Sequence, residues 1–214
     1  MARRSDPSAI ATWDDNARRY GAQEHWETAA VDAALDVAQP RSGERLVDLA
    51  TGTGLVLRRL AVRAGGPSEA LGVDRSAGML AQVGELPGGW SVVAADARRV
   101  PLPDGWADVV TCAYLLQLLD EGARTDVLAE ARRLLAPRPS SRLVVVTSWS
   151  GSTPVRAALG LLARARPQSS GGMRPLDPSA DLERAGFALT QRTVVARQGY
   201  PSLVLGAKPQ TRSC

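Results

Sequence analysis

Asp48, Asp74 and Asp96 each lie in or close a short apolar run, and a pair of glycines, Gly52 and Gly54, follows the first. Glycines one residue apart let backbone turn sharply and approach a ligand with no Cβ in the way. Asp74 lies 20 residues past Gly54. That separation puts a strand-end acid beside a glycine turn, where its carboxylate can accept both hydroxyls of a ribose. Three acids around one such turn suit a ligand with a ribose, an amino group and a positive centre. They suit a nicotinamide dinucleotide less well, because a pyrophosphate wants a third glycine and a free helix N-terminus. Leu57 stands at the third glycine's place, and Asp48 would repel a phosphate. Each acid also has a plainer reading: Asp48 as a structural acid ordering the turn, Asp74 as a helix cap, Asp96 as a loop acid.

The elements that must hold these residues alternate. Arg45–Leu49 reads as a buried strand, followed by a helix over 56–64. Ala70–Val73 reads as a second strand ending in Asp74, with a helix over 76–83; Ser91–Ala95 is a third, ending in Asp96. Ala107–Cys112 is a fourth, with a helix over 122–135, and Arg142–Thr147 a fifth. Such alternation predicts an α/β fold: a doubly wound, Rossmann-like sheet, mainly parallel, with the three acids along its carboxyl edge. A short helix (180–185) and two strands (188–195 and 202–206) then predict an antiparallel hairpin, leaving an antiparallel C-terminal edge strand. The first forty residues read as two helices joined near Tyr20-Gly21. In the second, Val31, Ala34, Leu35 and Ala38 fall at the spacing of one buried helical face. A single domain is expected: an N-terminal helical lid (1–40), a ligand-binding core (41–148), a substrate-covering insertion (149–178) rich in Gly, Pro, Ser and Arg with one apolar stretch over 155–162, and a terminal helix and hairpin (179–214).

Composition narrows the classes. The chain has 214 residues, 44% of them hydrophobic, enough for a substantial core. No apolar run approaches the roughly 18 residues of a membrane span, and no apolar segment follows the two N-terminal arginines as a secretory signal would require. Two cysteines make no disulfide framework and suit a cytoplasmic location. With one histidine they also make no typical zinc site, so no metal is expected. Charge is uneven: residues 1–40 carry 4 basic and 7 acidic side chains, residues 41–137 carry 11 and 12, and residues 138–214 carry 11 and 3. The basic final third, with Arg164, Arg166 and Arg174, could attract an anionic substrate, an RNA or a membrane surface, or be a solvated face.

At this point the motifs resemble a known family. Val47–Gly54 resembles the acid-x-Gly-x-Gly-x-Gly motif of class I S-adenosylmethionine-dependent methyltransferases. Gly72–Leu80 is similar to their acidic second strand and the helix behind it. Ala95-Asp96-Ala97, Val100–Gly105 and Ala107–Cys112 are similar to their third and fourth motifs. The similarity runs over residues 45–148 and is nearest to the quinone and small-molecule methyltransferases, whose first motif often reads Ala-Thr-Gly-Thr-Gly; Trp13-Asp14, Ala17 and Tyr20 fit them loosely. It implies S-adenosyl-L-methionine as cofactor. Asp48 would hold the methionine ammonium, directly or through water. Ala50, Thr51, Gly52 and Gly54 would form the backbone wall, and Asp74 would bind the ribose. Arg75 or Met79 would flank adenine, Asp96 and Ala97 would meet its edge, and Cys112 to Tyr114 would lie near the methionine end; Tyr20 joins the cofactor contacts.

The chain departs from the family at two places. Ala50 replaces the first glycine, and Gln117 stands where many small-molecule members carry histidine. His25 and Tyr114 are then the reserve bases, with Gln117 the third candidate at the reaction centre. Cys112 also reads as a small buried hydrophobe, and His25 as a surface residue. The segment Thr111–Tyr114 lacks the Asn/Asp-Pro-Pro-Tyr cluster of nucleobase amino-methylating relatives, so no nucleic-acid partner is expected. The expected function is methyl transfer to a small molecule, a specialised metabolite or quinone-like ring. The alternative is a cofactor-binding, methyltransferase-like protein with a non-methylating role, such as a cyclase or binding subunit. A homodimer is compatible with either.

Overall fold

A computed structural model describes residues 7–149, 175–196 and 201–210. The stretch 155–162, Arg164, Arg166, Arg174 and most of the expected substrate-covering insertion lie outside the described residues, as does the side chain of Tyr20.

Seven strands form one sheet: β1 (Arg45–Leu49), β2 (Glu69–Asp74), β3 (Trp90–Ala94), β4 (Val109–Ala113), β5 (Arg142–Ser148), β6 (Phe187–Val195) and β7 (Ser202–Pro209). Their order is β3-β2-β1-β4-β5-β7-β6. The first five pair in parallel, and β7 runs antiparallel to both its neighbours. The chain therefore winds outward from β1 to β3, returns to β4, and winds the other way. That reversal leaves a crevice at the carboxyl ends of β1 and β4, the usual place for a ligand in such sheets.

Both faces are covered, so the central strands are apolar almost throughout. Val47, Leu49, Val110, Cys112, Leu143 and Val145 pack with Val127, Leu128, Ala131 and Leu134 of α4 (Glu121–Leu134). Leu46, Val109, Val144, Val146 and Val204 pack on the opposite face with α1 (Pro7–Ala38) and α2 (Leu55–Ala61). Two shorter helices complete the described structure, α3 (Ala77–Leu80) and α5 (Ser179–Arg184).

Three expectations need revision. The N-terminal segment is one helix through Tyr20-Gly21, not two. A glycine costs a helix interior only about 1 kcal/mol, and the two halves of α1 are separately tied down. Asp14 accepts hydrogen bonds from Ser76 Oγ and Gly78 N, Glu24 pairs with Arg58, and Ala30, Val31, Ala34, Leu35 and Ala38 enter the core. The helix expected over 76–83 stops at Leu80, because the Gln82 and Val83 N–H groups turn to carbonyls three residues back. The fourth strand begins two residues later than expected, with Ala107 making an isolated bridge to Leu135. The antiparallel hairpin expected at one edge of the sheet is present, with β7 between β5 and β6 and β6 as the edge strand. Residues 202–207 of β7 are all buried, whereas β6 exposes much of its length.

The dock of α1 on the sheet leaves no room at Gly206, where an added Cβ would stand 2.8 Å from Val37 Cγ1. Gly206→Ala should therefore destabilise the protein by about 1–3 kcal/mol, seen as a lower urea midpoint with an unchanged slope. An unchanged midpoint would show that α1 yields at no cost.

Candidate functional site

The turn after β1 depends on left-handed backbone at alternate residues. Ala50, Gly52 and Gly54 have φ of 57°, 55° and 84°. Glycine adopts such angles freely, whereas Ala50 does so at a cost of about 1–2 kcal/mol. The turn is fastened to the next strand: Thr51 N donates to Val73 O at 2.9 Å, and Gly52 N to Asp74 Oδ2 at 2.9 Å. Gly72 is needed directly beneath, since a Cβ there would lie 2.9 Å from Leu57 Cδ1 and the Thr51 side chain. Above Gly52 the space is open, with no heavy atom within 4 Å of where a Cβ would be.

Asp74 accepts a second N–H, from Ser76, at 2.9 Å. Burial pushes its carboxyl above the ordinary range, and the N–H groups of Ser76, Gly52 and Arg75, with the Arg75 charge, work against that. A carboxylate offers about four acceptor positions, so room remains for a ligand. Asp48 lies beside Gly72 on one neighbouring strand and Thr111 on the other. It is buried, and Thr111 Oγ1 donates to its Oδ1 at 2.7 Å while Oδ2 has no hydrogen-bond partner. Burial pushes this carboxyl up to about 7, with the Thr51 and Thr111 hydroxyls opposing the rise and the nearby Asp74 adding to it. Asp96 instead is spoken for. Arg98 donates its backbone N–H and its guanidinium to the carboxylate at 2.6–3.2 Å, and this outweighs burial to hold Asp96 below the usual carboxylate range.

The remaining candidates separate by position. Arg75 is half-buried after β2, with one guanidinium nitrogen unpartnered; Met79 and Ala97 are buried nearby in sequence, behind Asp74 and Asp96. Cys112 belongs to the α4-side core, and burial pushes its thiol well above its ordinary value. Tyr114, at φ 59°, turns into the core under α1; its hydroxyl meets Ser202 Oγ at 2.8 Å, and burial raises its pKa. His25 is exposed on α1, packed edge-to-face on Trp26. Gln117 is buried in a 3₁₀ turn, Leu116–Leu118, after β4; its Oε1 accepts from Ser148 N, and its Nε2 has no partner.

A pattern emerges from the buried polar atoms. Among the described residues, six buried side-chain atoms lack a hydrogen-bond partner, and all but Ser141 Oγ sit at the carboxyl ends of β1, β2, β4 and β5 or just beyond them. These are Asp48 Oδ2, Thr51 Oγ1, Arg75 Nη2, Gln117 Nε2 and Ser148 Oγ. A buried polar atom left unpaired costs about 1–3 kcal/mol. Such atoms gathered at one sheet edge mark a place built for a polar ligand. Sequence reasoning missed Thr111, Ser148 and Glu24, whose roles arise from strand register and packing across 63, 31 and 34 residues. Arg98 was closer to hand, two residues past Asp96 in a turn.

Comparison with known proteins agrees with this geometry. Residues 46–138 match the Methyltransferase domain family. A demethylmenaquinone methyltransferase of Thermus thermophilus is 37% identical over 149 residues, 68% of this chain and 62% of that protein. A ubiquinone/menaquinone biosynthesis C-methyltransferase UbiE of Stutzerimonas stutzeri is 33% identical over 52% of this chain and 44% of its own length. The chain thus spans about half of these relatives. Among solved structures, a methyltransferase in complex with the Trm112 activator of Haloferax volcanii superposes with a TM-score of 0.74 at 17% identity, over 98% of this chain and all of that one. The [4+2]-cyclase SpnF superposes with a TM-score of 0.67 at 18% identity, over 86% and 81%. With its glycine turn, its strand-end acids and this sequence match, the core of the chain, residues 46–138, is a methyltransferase domain.

Proposed function

We propose that this protein transfers the methyl group of S-adenosylmethionine to a small molecule, a quinone-like ring or related phenolic metabolite. The observation that carries the reading is the unpartnered Asp48 Oδ2, buried where the winding reverses. The residues fit the cofactor: Asp48 would hold its ammonium, Asp74 its ribose diol, and the open floor at Gly52 its backbone approach. Asp96, paired with Arg98, would offer the adenine amino group only the acceptor positions that arginine leaves. When bound, the cofactor supplies an already activated methyl group. The protein's share is then to align the acceptor and exclude water, and alignment alone reaches effective molarities of about 10⁵ M or more in favourable cases. The names of the relatives, two quinone-pathway methyltransferases, support the acceptor class.

Calorimetry should register binding of both S-adenosylmethionine and S-adenosylhomocysteine, and turnover should add about 14 Da, one methylene, to the acceptor. Binding without that mass gain would favour a non-methylating role, as in the cyclase of similar fold. Asp74→Ala should weaken S-adenosylhomocysteine by about 1.5–3 kcal/mol, the worth of hydrogen bonds to a charged acceptor. Undiminished affinity would remove Asp74 from the site.

Asp48 makes the binding pH-dependent. A carboxyl near 3.9 in an unfolded chain and about 7 here holds its proton more tightly when folded. The ligand-free protein therefore loses stability as pH rises from about 4 through 7. A bound ammonium favours the carboxylate, so affinity for S-adenosylhomocysteine should fall as pH drops below 7, by up to tenfold per unit. Asp48→Asn should bind more weakly at pH 7.5 and show a flat profile. An equally steep profile in that variant would assign the titration elsewhere.

We assign to the first half of α1 the role of a cover. Glu24 bonds to Thr53 and Arg58, and Asp14 to Ser76 and Gly78, so this helix lies along the glycine turn and the end of β2. Deleting residues 1–28 spares the buried face beginning at Ala30. The fragment should stay folded and lose turnover; full activity would rule the cover out.

A further inference from the structure

We propose that Gln117 and Ser148 form an oxygen-recognising pair for the methyl acceptor, and that the acceptor is an enol or phenol whose oxygen they bind. The inference rests on the methyltransferase reading above and adds the chemistry by which the acceptor is held.

The orientation of the Gln117 amide is forced. A backbone N–H can only donate, so the side-chain atom that meets Ser148 N must be the carbonyl oxygen. The amide is thereby fixed with its NH₂ group turned away from β5's backbone, and that NH₂ group has no partner. Ser148 supplies a second unpartnered atom, its Oγ, on the residue whose N–H holds the glutamine. Both residues are more than nine-tenths buried, at 5% and 9% exposure. One closes β5 and the other follows β4, so the pair sits on the far side of the winding reversal from Asp74 and beyond Asp48. The turn-and-acid machinery belongs to the β1–β2–β3 half, and this pair belongs to the β4–β5 half.

Its chemistry is specific in what it offers. The glutamine NH₂ only donates, and the serine hydroxyl can donate as well. Neither takes up a proton near neutral pH, and no carboxylate is bonded to either atom. The complement of two neighbouring buried donors is an oxygen carrying full or partial negative charge. An amide in the place of a histidine therefore exchanges proton removal for stabilisation of an oxygen that ionises readily by itself. Leu115, Leu119 and Trp149, chain neighbours of the pair, are partly buried against the core and give the region an apolar character that suits a ring.

The test uses 2-naphthol, a phenol whose ionisation changes its absorbance, with the full-length protein saturated with S-adenosylhomocysteine. In the wild type the bound naphthol should ionise at least tenfold more readily than free naphthol. Gln117→Glu keeps the acceptor for Ser148 N and removes the donor; Gln117→Met removes the donor without adding charge. Both should abolish that enhancement and weaken naphthol binding about tenfold, and Ser148→Ala should do so about threefold. Affinity for S-adenosylhomocysteine should stay within twofold throughout. Naphthol that fails to bind, or ionises no more readily when bound, overturns the proposal. So does a parallel loss of S-adenosylhomocysteine affinity, which would give the glutamine to the cofactor's carboxylate. Failure of the wild type to bind S-adenosylhomocysteine at all would instead strike the methyltransferase reading.

Discussion

The hydrogen bond from Gly52 N to Asp74 is the joint on which the candidate site depends. It ties a turn that has left β1 to the end of β2, at 2.9 Å, with the Thr51 N–H to Val73 O bond beside it. Together with the Gly54 N to Thr51 O bond across the turn and the bonds of Glu24 and Arg58 to Thr53, this anchor holds the Ala50–Gly54 backbone in three left-handed conformations, one of them on a residue that resists it. The joint also explains the sequence beneath it. Gly72 must lack a side chain so that Thr51 and Leu57 can lie against β2, and Gly54 must lack one because Val83 stands 2.8 Å from where its Cβ would be. Two neighbouring strands, a short helix and a turn are thus made for each other before any ligand is considered.

A second constraint is electrostatic. Asp48 is buried and Asp74 half-buried, both are pushed toward their protonated forms, and they lie close enough that the charge of Asp74 raises Asp48 further. A fold selected only for stability would place apolar side chains here, as it does at Val47 and Leu49 on the same strand. Burying carboxylates costs free energy that a cation offsets. Five of the six unpartnered buried polar atoms among the described residues lie at this edge, which fits the general pattern in which functional sites depart from the rules the rest of the fold obeys.

Much of this was legible in the sequence, for physical reasons that differ by element. Strands covered on both faces appear as compact apolar runs, so β1 was read to the residue and β2, β3 and β5 to within one. Asp74 was legible because the distance from a glycine turn to the next strand end is set by one crossover helix. The contacts that were not legible depend on register. Nothing in the spacing of Thr111 and Asp48 says that β4, rather than β2 alone, flanks β1; the reversal of winding decides it. The inner place of β7 is visible in its composition: Leu203-Val204-Leu205 is continuous apolar sequence, whereas β6 carries Thr190-Gln191-Arg192-Thr193 as an edge strand would. Gly21 misled in the opposite direction, since local propensity was outweighed by the contacts holding α1 at Asp14, Glu24 and Leu35.

The same accounting bears on how the acceptor becomes reactive. His25, the one histidine, is exposed on α1. Tyr114 and Cys112 flank the crevice in sequence but point into opposite cores, and burial pushes both away from ionisation near neutral pH. Asp48 is the group whose proton is exchangeable near pH 7, and in the proposed complex an ammonium claims its charge. A base is needed only where the nucleophile is weakly acidic. With these described side chains committed elsewhere, the proposed acceptor is one that arrives ionised or ionises against fixed donors. An enol or phenol meets that demand, and an aliphatic alcohol does not.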